Sequence, residues 1–409
     1  MFRSKNLERA LRQRAYAARK KVNSSHRGHY DVIVVGARCA GAPTAMLLGR
    51  KGLRVLLVDR SSFPSDTIST HYVHQLGVAR LANWGLADQV RDSNCRAINE
   101  VALFSGPRSL QSLFMSFSTV GVSYCPRRRI LDRILLDAAI AAGVEFRPLF
   151  KVEQLLANFG AVIGIRGRSE SRIVVDEHAA IVVGADGTNS LVARQVKSPM
   201  YYVEPRATCY AYSYWSGVTP GNGEIHFRND RAATVFPTND GLTCLTTVWR
   251  APETQAIRHD VKGGYLEAIG FFPRLRPYLD CGRQEERVYS YFAQFPNFYR
   301  KPFGPGWALV GDAGYHKDPI TALGITDAFR DAELLADAIE RGLSGKRDLG
   351  QSLAAYERLR NKASLPLYKF TIEISSLGQK RSTKRLVGSD RTSAGRALYL
   401  SRELAALKR

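Results

Sequence analysis

Residues 30–59, YDVIVVGARCAGAPTAMLLGRKGLRVLLVD, decide the fold. The run Val32-Ile33-Val34-Val35 is β-branched throughout, as in a strand buried on both faces of a parallel sheet. Residues 40–51 read as a helix closed by Gly52, and residues 54–59 read as a second buried strand. Strand, glycine turn, helix and strand form the opening unit of a dinucleotide-binding fold, whose fingerprint is G-x-G-x-x-G. Here the turn is Gly36-Ala37-Arg38-Cys39-Ala40-Gly41. Gly36 permits the tight turn, and Gly41 lets the helix pack close to the strand. Arg38 stands where a glycine normally lets backbone approach a pyrophosphate. Its guanidinium either folds onto the diphosphate, supplying charge, or points to solvent. The helix N-terminus favours an anion in both cases. Asp59 lies 23 residues after Gly36, close to the roughly 20-residue offset of an acid that holds a ribose hydroxyl. Arg60 follows it as a further cofactor contact.

Outward from this unit, residues 5–21 are helix-forming and residues 23–29 read as a linker. Helical patterns recur at 75–91 and 129–142. Strands fill 143–186 and close on Ala185-Asp186-Gly187. From about 200 to 300 aromatics crowd in, and the alternation in residues 209–215 (CYAYSYW) predicts a half-buried sheet. A buried strand returns at Trp307–Asp312, followed by a helix over 321–342 and helices over 350–409. The expected fold is α/β: a Rossmann-like dinucleotide-binding domain, which so far allows NAD or FAD, with an inserted mixed β-sheet substrate domain and a C-terminal helical segment. The cofactor domain takes 30–100, 123–198 and 300–345. The substrate domain takes 101–122 and 199–299. Residues 1–29 are a basic extension and 346–409 the C-terminal helices.

The 409 residues carry a net charge of +22, much of it in the first 29 and last 30 residues. Such ends draw in anions, so an anionic membrane surface is a further partner they allow, beside the plain reading of solvated basic helices. No zinc finger, helix-turn-helix or RNP motif is present, and no specific nucleic acid is expected. The six cysteines are scattered without metal spacing, which predicts reduced thiols in a cytoplasmic protein and no metal site. The N-terminus lacks an apolar run after its basic residues, and no stretch of 18 apolar residues occurs. Neither a secretory signal nor a spanning helix is predicted, and peripheral membrane contact stays open.

Three motifs in order and spacing resemble the FAD-dependent oxidoreductases of the para-hydroxybenzoate hydroxylase type: the glycine turn, Asp186-Gly187, and Gly311-Asp312 with Pro319 and Gly324 behind it. That superfamily includes aromatic monooxygenases, geranylgeranyl reductases and flavin halogenases. The resemblance covers about 30–345. It implies that Gly36, Gly41 and Asp59 hold the FAD diphosphate and ribose. Arg128, with Leu131 and Asp132, matches the R-x-x-L-D helix start whose Arg contacts the cofactor. Asp186 and Gly187 match a pair linked to both FAD and NAD(P)H. Gly311 and Asp312 match the ribityl site, and Pro319 and Gly324 the loop and helix start facing the flavin pyrimidine. The common G-D-A-A-H becomes Gly311-Asp312-Ala313-Gly314-Tyr315, with His316 one place later. The Asn that follows the helix-start glycine gives way to Ile325-Thr326-Asp327.

The resemblance implies a hydroxylase that uses NAD(P)H and O2, through a flavin hydroperoxide, on an aromatic or polyketide-like small molecule. Such chemistry needs a dry pocket, which the aromatics of 200–300 would line, with Phe236-Pro237 at its wall. Candidate bases are His71 and His74, in the loop the family places beside the flavin, and His316. Each competes with a purely structural role. Lys317 either neutralises reduced flavin or faces solvent. The alternative activity is reduction of a prenyl or polyketide double bond, although the Cys-Gly loop of such reductases is absent from Asp66–His71. The W-x-W-x-I-P motif of halogenases is also absent. A non-enzymatic basic binding protein with a degenerate flavin fold is the remaining class.

Overall fold

The computed structural model describes residues 29–105, 108–112, 121–291 and 296–375. The predicted helix over 5–21 and the segment beyond 375 lie outside these residues. His29, placed in the linker by sequence, starts the first strand, His29–Val35. The helix Gly41–Arg50 follows, then the strand Val55–Val58. The two strands run parallel, with Val32 opposite Val55 and Val35 opposite Val58. On its other side the first strand pairs in parallel with Val174–Gly184, which pairs in parallel with Trp307–Leu309. Glu145–Arg147 extends the sheet beyond Val55–Val58. The antiparallel hairpin Lys151–Asn158 and Ala161–Arg168 joins through Val174–Gly184. Val32, Ile33, Val34, Leu56, Leu57 and Val182 are fully buried, because helices cover one face of the sheet and the hairpin layer covers the other.

A second, mixed sheet runs in the order Arg108–Ser112, Val101–Ser105, Gly223–Arg228, Arg231–Pro237, Thr243–Arg250 and Thr208–Ser216. Arg283–Gln284 and Tyr289–Tyr291 both pair with Thr208–Ser216. This sheet corrects two expectations. Thr208–Trp215 is buried along its whole length, not half-buried. Cys209, Ala211 and Trp215 pack on a helical layer containing Tyr265, Ala268 and Ile269. Tyr210, Tyr212 and Tyr214 point the other way, toward Tyr72, Cys125 and Phe236. That helical layer, Thr254–His259, Val261–Gly270 and Arg276–Cys281, sits within what reads by sequence as aromatic strand. The helix predicted over 75–91 is two, Gln75–Asn83 and Ala87–Asp92, parted at Gly85 with φ +77°, a backbone state that glycine adopts at little cost.

A third sheet joins Met200–Glu204, Asn297–Arg300 and Tyr315–His316. Two long helices, Gly324–Leu343 and Leu349–Ser375, close the described chain. Among the described residues no helix is long and apolar enough to cross a membrane. All six cysteines are free thiols.

Candidate FAD site

The glycine turn is where three distant segments meet. Gly36 has φ +104°, and a Cβ there would stand 2.5 Å from the Ala185 carbonyl oxygen. A Cβ on Gly41 would stand 1.7 Å from the Gly36 carbonyl oxygen. Gly311, at φ +61°, approaches from the other side, where its Cβ would be 2.6 Å from the Ala40 Cβ. Segments around 36, 185 and 311 therefore pack with no room for side chains, and the three sequence motifs form one place in space.

Asp59 lies just past the end of its strand. It accepts hydrogen bonds from the backbone N–H groups of Ala37 and Ser61, each at 2.8 Å. Arg60 is exposed beside it. Arg38 takes neither course expected of it. Its guanidinium donates to Asp132 Oδ2 (2.7 Å), the Ser65 carbonyl (3.1 Å) and Ser65 Oγ (3.0 Å), over the Phe63 ring. Asp132, fully buried, also accepts two bonds from Arg128 Nη2, at 2.9 and 3.1 Å, and one from the Cys39 thiol. Burial opposes charge on Arg128, but Asp132 outweighs it and holds the guanidinium protonated. Two arginines thus share one carboxylate. The uncompensated positive charge stands beside a helix N-terminus, which suits a diphosphate.

Asp186 accepts from the backbone of Leu191 (2.7 Å) through one oxygen, while its other oxygen is buried without a partner. Burial pushes this carboxyl up, so the group awaits a donor. Gly187, at φ +78°, leaves open space where a side chain would stand. Asp312 keeps 47% of its side chain exposed, with His316 Nδ1 3.5 Å away. Asp318 caps the turn Pro319–Thr321 through the Ile320 N–H at 3.1 Å. Gly324 then opens a 20-residue helix with open space above it. An open glycine, an exposed acid and an orphaned carboxylate oxygen fit a bound FAD. Asp312 would reach its ribityl hydroxyls, and the Gly324 helix start its pyrimidine edge.

His71 is fully buried at φ +62°. Its Nε2 is 2.9 Å from the Tyr214 hydroxyl, and its Nδ1 has no partner. It stands beside Cys244, whose thiol is pulled down to about 5, chiefly by a hydrogen bond from Cys125 and further by His71, against burial. His74 is tied to the flavin loop: Nε2 meets the Thr321 carbonyl at 3.1 Å and its N–H meets Thr326 Oγ1 at 3.3 Å. Burial pushes its imidazole down to about 4 although an edge stays accessible. His74 is therefore neutral at pH 7, with one ring nitrogen already engaged. His316 is buried against Phe298 and Asp312. Lys317 does not face solvent. It is buried and paired with Asp327.

The opposite wall is built of tyrosines. Tyr212 stacks on Tyr289 (5.2 Å, 15°), Tyr210 leans on Tyr291 (5.2 Å), and Tyr72 stacks on Phe236 (4.7 Å). Burial raises the Tyr210 phenol first, and Asp312 and Arg128 are among the charges that act on it. Tyr291 feels Asp312 and Asp318 in the same way. The tyrosine face of the second sheet therefore looks onto the cofactor motifs of the first. Sequence reading did not single out Arg127. It is buried between Asp66 and Glu286, each at 2.5 Å, with its guanidinium 4.2 Å from the Tyr214 ring centroid. Its motif neighbour Arg128 carried the signal, and its own partners come from residues far along the chain.

Comparison with known proteins agrees with this geometry. The model of a family described as FAD binding domain matches residues 29–255. The chain is 26% identical over 347 residues to the digeranylgeranylglycerophospholipid reductase of Methanothrix thermoacetophila, covering 80% of this chain and 82% of that one. It is 23% identical over 386 residues to squalene epoxidase 3 of Arabidopsis thaliana, covering 89% and 72%. Among solved structures, the myxobacterial chondrochloren halogenase CndH, an FAD-dependent halogenase, superposes with a TM-score of 0.80 at 22% identity, covering 93% and 96%. That likeness shows the fold. The family match spans more than half of the chain and includes the glycine turn, Asp59, Arg128 and Asp186-Gly187: the protein belongs to the FAD binding domain family and is an FAD-dependent oxidoreductase.

Proposed function

We propose that the protein is a monooxygenase that hydroxylates an aromatic or polyketide-like small molecule, using NAD(P)H as reductant and O2 as oxidant. The observation that carries this reading is the tyrosine wall. Tyr210 and Tyr212, on a strand buried from Thr208 to Trp215, and Tyr291 beside them, backed by Tyr72 and Phe236, face the cofactor residues Asp312 and Arg128. A flat substrate would stack there with water kept out, as oxygen transfer requires. Bound FAD supplies the redox chemistry and the protein supplies position and electrostatics. His71, buried with a free Nδ1 and a Tyr214 contact, is the group best placed to hold a proton. His74 and His316 are already engaged by Thr321 and Asp312.

The test is O2 uptake by FAD-loaded protein given NADH or NADPH and a panel of phenols and aromatic polyketides. Substrate-dependent uptake, with one labelled oxygen from 18O2 in the product, is expected. A second reading, reduction of a prenyl or polyketide double bond, is supported by the relatives that are digeranylgeranylglycerophospholipid reductases. It predicts a saturated product under anaerobic conditions and no labelled oxygen.

A further inference from the structure

Behind the Gly324 turn lies a cluster of charge that FAD binding alone does not require. Lys317 Nζ donates to Asp327 and to the Tyr315 hydroxyl (2.9 Å). Arg330 donates to Asp327 (2.7 Å) and Asp331 (2.7 Å). Arg360, from the last helix, donates to the carbonyls of Gly314 (3.1 Å) and Arg300 (3.1 Å). Relative exposures are 7% for Lys317, 4% for Asp327, 6% for Arg330, 1% for Asp331 and zero for Arg360. Three cations face two carboxylates, a net formal charge of +1. Asp331 also has one oxygen without a partner. Arg300 and Asp318, on the flanks, offset each other.

Burying so many charges is expensive, and ion pairs rarely return more stability than a packed apolar core would. A net charge held at this place has an electrostatic effect instead. Asp327 and Arg330 occupy the first two turns of the helix that begins at Gly324. His74, bonded to the Thr321 carbonyl, is close enough to both Lys317 and Asp327 to feel their charges. The cluster therefore lies directly beneath the loop Pro319–Leu323, where the helix start already presents partial positive charge. Charges act strongly here because water does not screen them.

We infer that the buried network of Lys317, Asp327, Arg330, Asp331 and Arg360 sets the reduction potential of the bound FAD, with Lys317 and Asp327 as opposing positioning residues. The inference rests on FAD lying against the Pro319–Gly324 loop. Two-electron reduction leaves the flavin more negative, so a nearby cation favours the reduced form and a nearby anion the oxidised form.

The experiment is a spectroelectrochemical titration of FAD-loaded protein with reference dyes. Lys317→Met should lower the midpoint potential and Asp327→Asn should raise it. Each should change the two-electron equilibrium constant by roughly tenfold, about 30 mV. Lys317→Arg keeps the charge and should stay near the parent value. Dissociation constants for sulfite, which adds to oxidised flavin as an anion, should run in the opposite order: higher for Lys317→Met and lower for Asp327→Asn. Shifts of the same sign in both neutralising variants, or none, overturn the inference, because a merely structural role has no reason to respond to the sign of the lost charge. If Lys317→Met does not fold, Asp327→Asn decides alone, and a potential at or below the parent value overturns it. Parent protein that takes up no FAD would instead contradict the cofactor assignment itself.

Discussion

Arg38 occupies the place where most dinucleotide sites put a bare glycine, and its side chain ties the turn to the Ser65 loop and to Asp132. Arg38→Gly removes one of two cations from a fully buried carboxylate and from the diphosphate side of the turn. FAD affinity should fall on the order of tenfold, with about 1–3 kcal/mol of stability lost. Flavin retention on gel filtration and a denaturant titration measure the two effects. Asp132→Asn removes the shared counter-charge of both arginines and should cost more, about 3–5 kcal/mol. His74 gives a pH prediction. Its imidazole is pushed from 6.5 in the unfolded chain to about 4 in the fold, first by burial. The unfolded chain therefore binds the extra proton first as pH falls. The stability that neutral His74 contributes is complete above pH 6.5 and is lost as pH falls from 6.5 toward 4, on the order of 3 kcal/mol. His74→Gln should flatten the dependence of Tm on pH across that window. An unchanged slope would show that other groups govern it.

Two elements can be probed separately. The close approach of the strand ends around Gly36 admits no side chain, so Gly36→Ala combines left-handed backbone strain with contact against the Ala185 carbonyl. Loss of bound flavin and about 2–4 kcal/mol of stability are expected, read by flavin absorbance and thermal melting. The second sheet is fastened to its helical layer by a short relay: Trp215 Nε1 donates to the Tyr265 hydroxyl (2.9 Å), which donates to the Leu245 carbonyl (3.0 Å). Tyr265→Phe leaves the Trp215 donor and the Leu245 acceptor unpaired and should cost about 1–3 kcal/mol. Flavin content should be unchanged, because this layer lies on the face away from the cofactor motifs. The element boundaries follow local signals at the glycine turn and fail at Gln75–Asp92. There Gly85 ends one helix and a second begins after it, a break that a run of helix-compatible residues does not announce.

At the scale of the molecule, Arg127 joins what the two sheets bring together: Asp66 from the cofactor side, and Glu286 and the Tyr214 ring from the tyrosine side. The cofactor motifs lie on the first sheet and the tyrosine wall on the second, and this contact ties the two together. The basic ends belong to another question. Truncation just before His29 should leave flavin content unchanged, since the first strand starts there. If those ends meet a membrane surface, full-length protein should bind anionic vesicles at low salt and release them at high salt. Binding that survives truncation at both ends would place the contact elsewhere.

Much of the cofactor side was legible in the chain itself. A β-branched run, two glycines and an acid at the right offset all lie within 30 residues, so their spacing is visible in the chain. That is why Val32–Val35, Gly36, Gly41 and Asp59 could be read in order. The resemblance added Arg128, Asp186, Gly311 and Gly324, but only folding showed that Ala185 and Gly311 press against the same turn. The partner of Arg38 is a carboxylate 94 residues away, and such a distance leaves no trace in spacing. The alternating tyrosines of residues 209–215 were visible, yet alternation cannot say what covers each face. Helices supplied later in the chain bury one face, and Tyr72, Cys125 and Phe236 pack on the other. The buried charges around Asp327 read in sequence as ordinary helix residues, because burial and pairing are properties of packing. Sequence determined the cofactor turn. Tertiary structure decided which charges stand around it and which wall faces it.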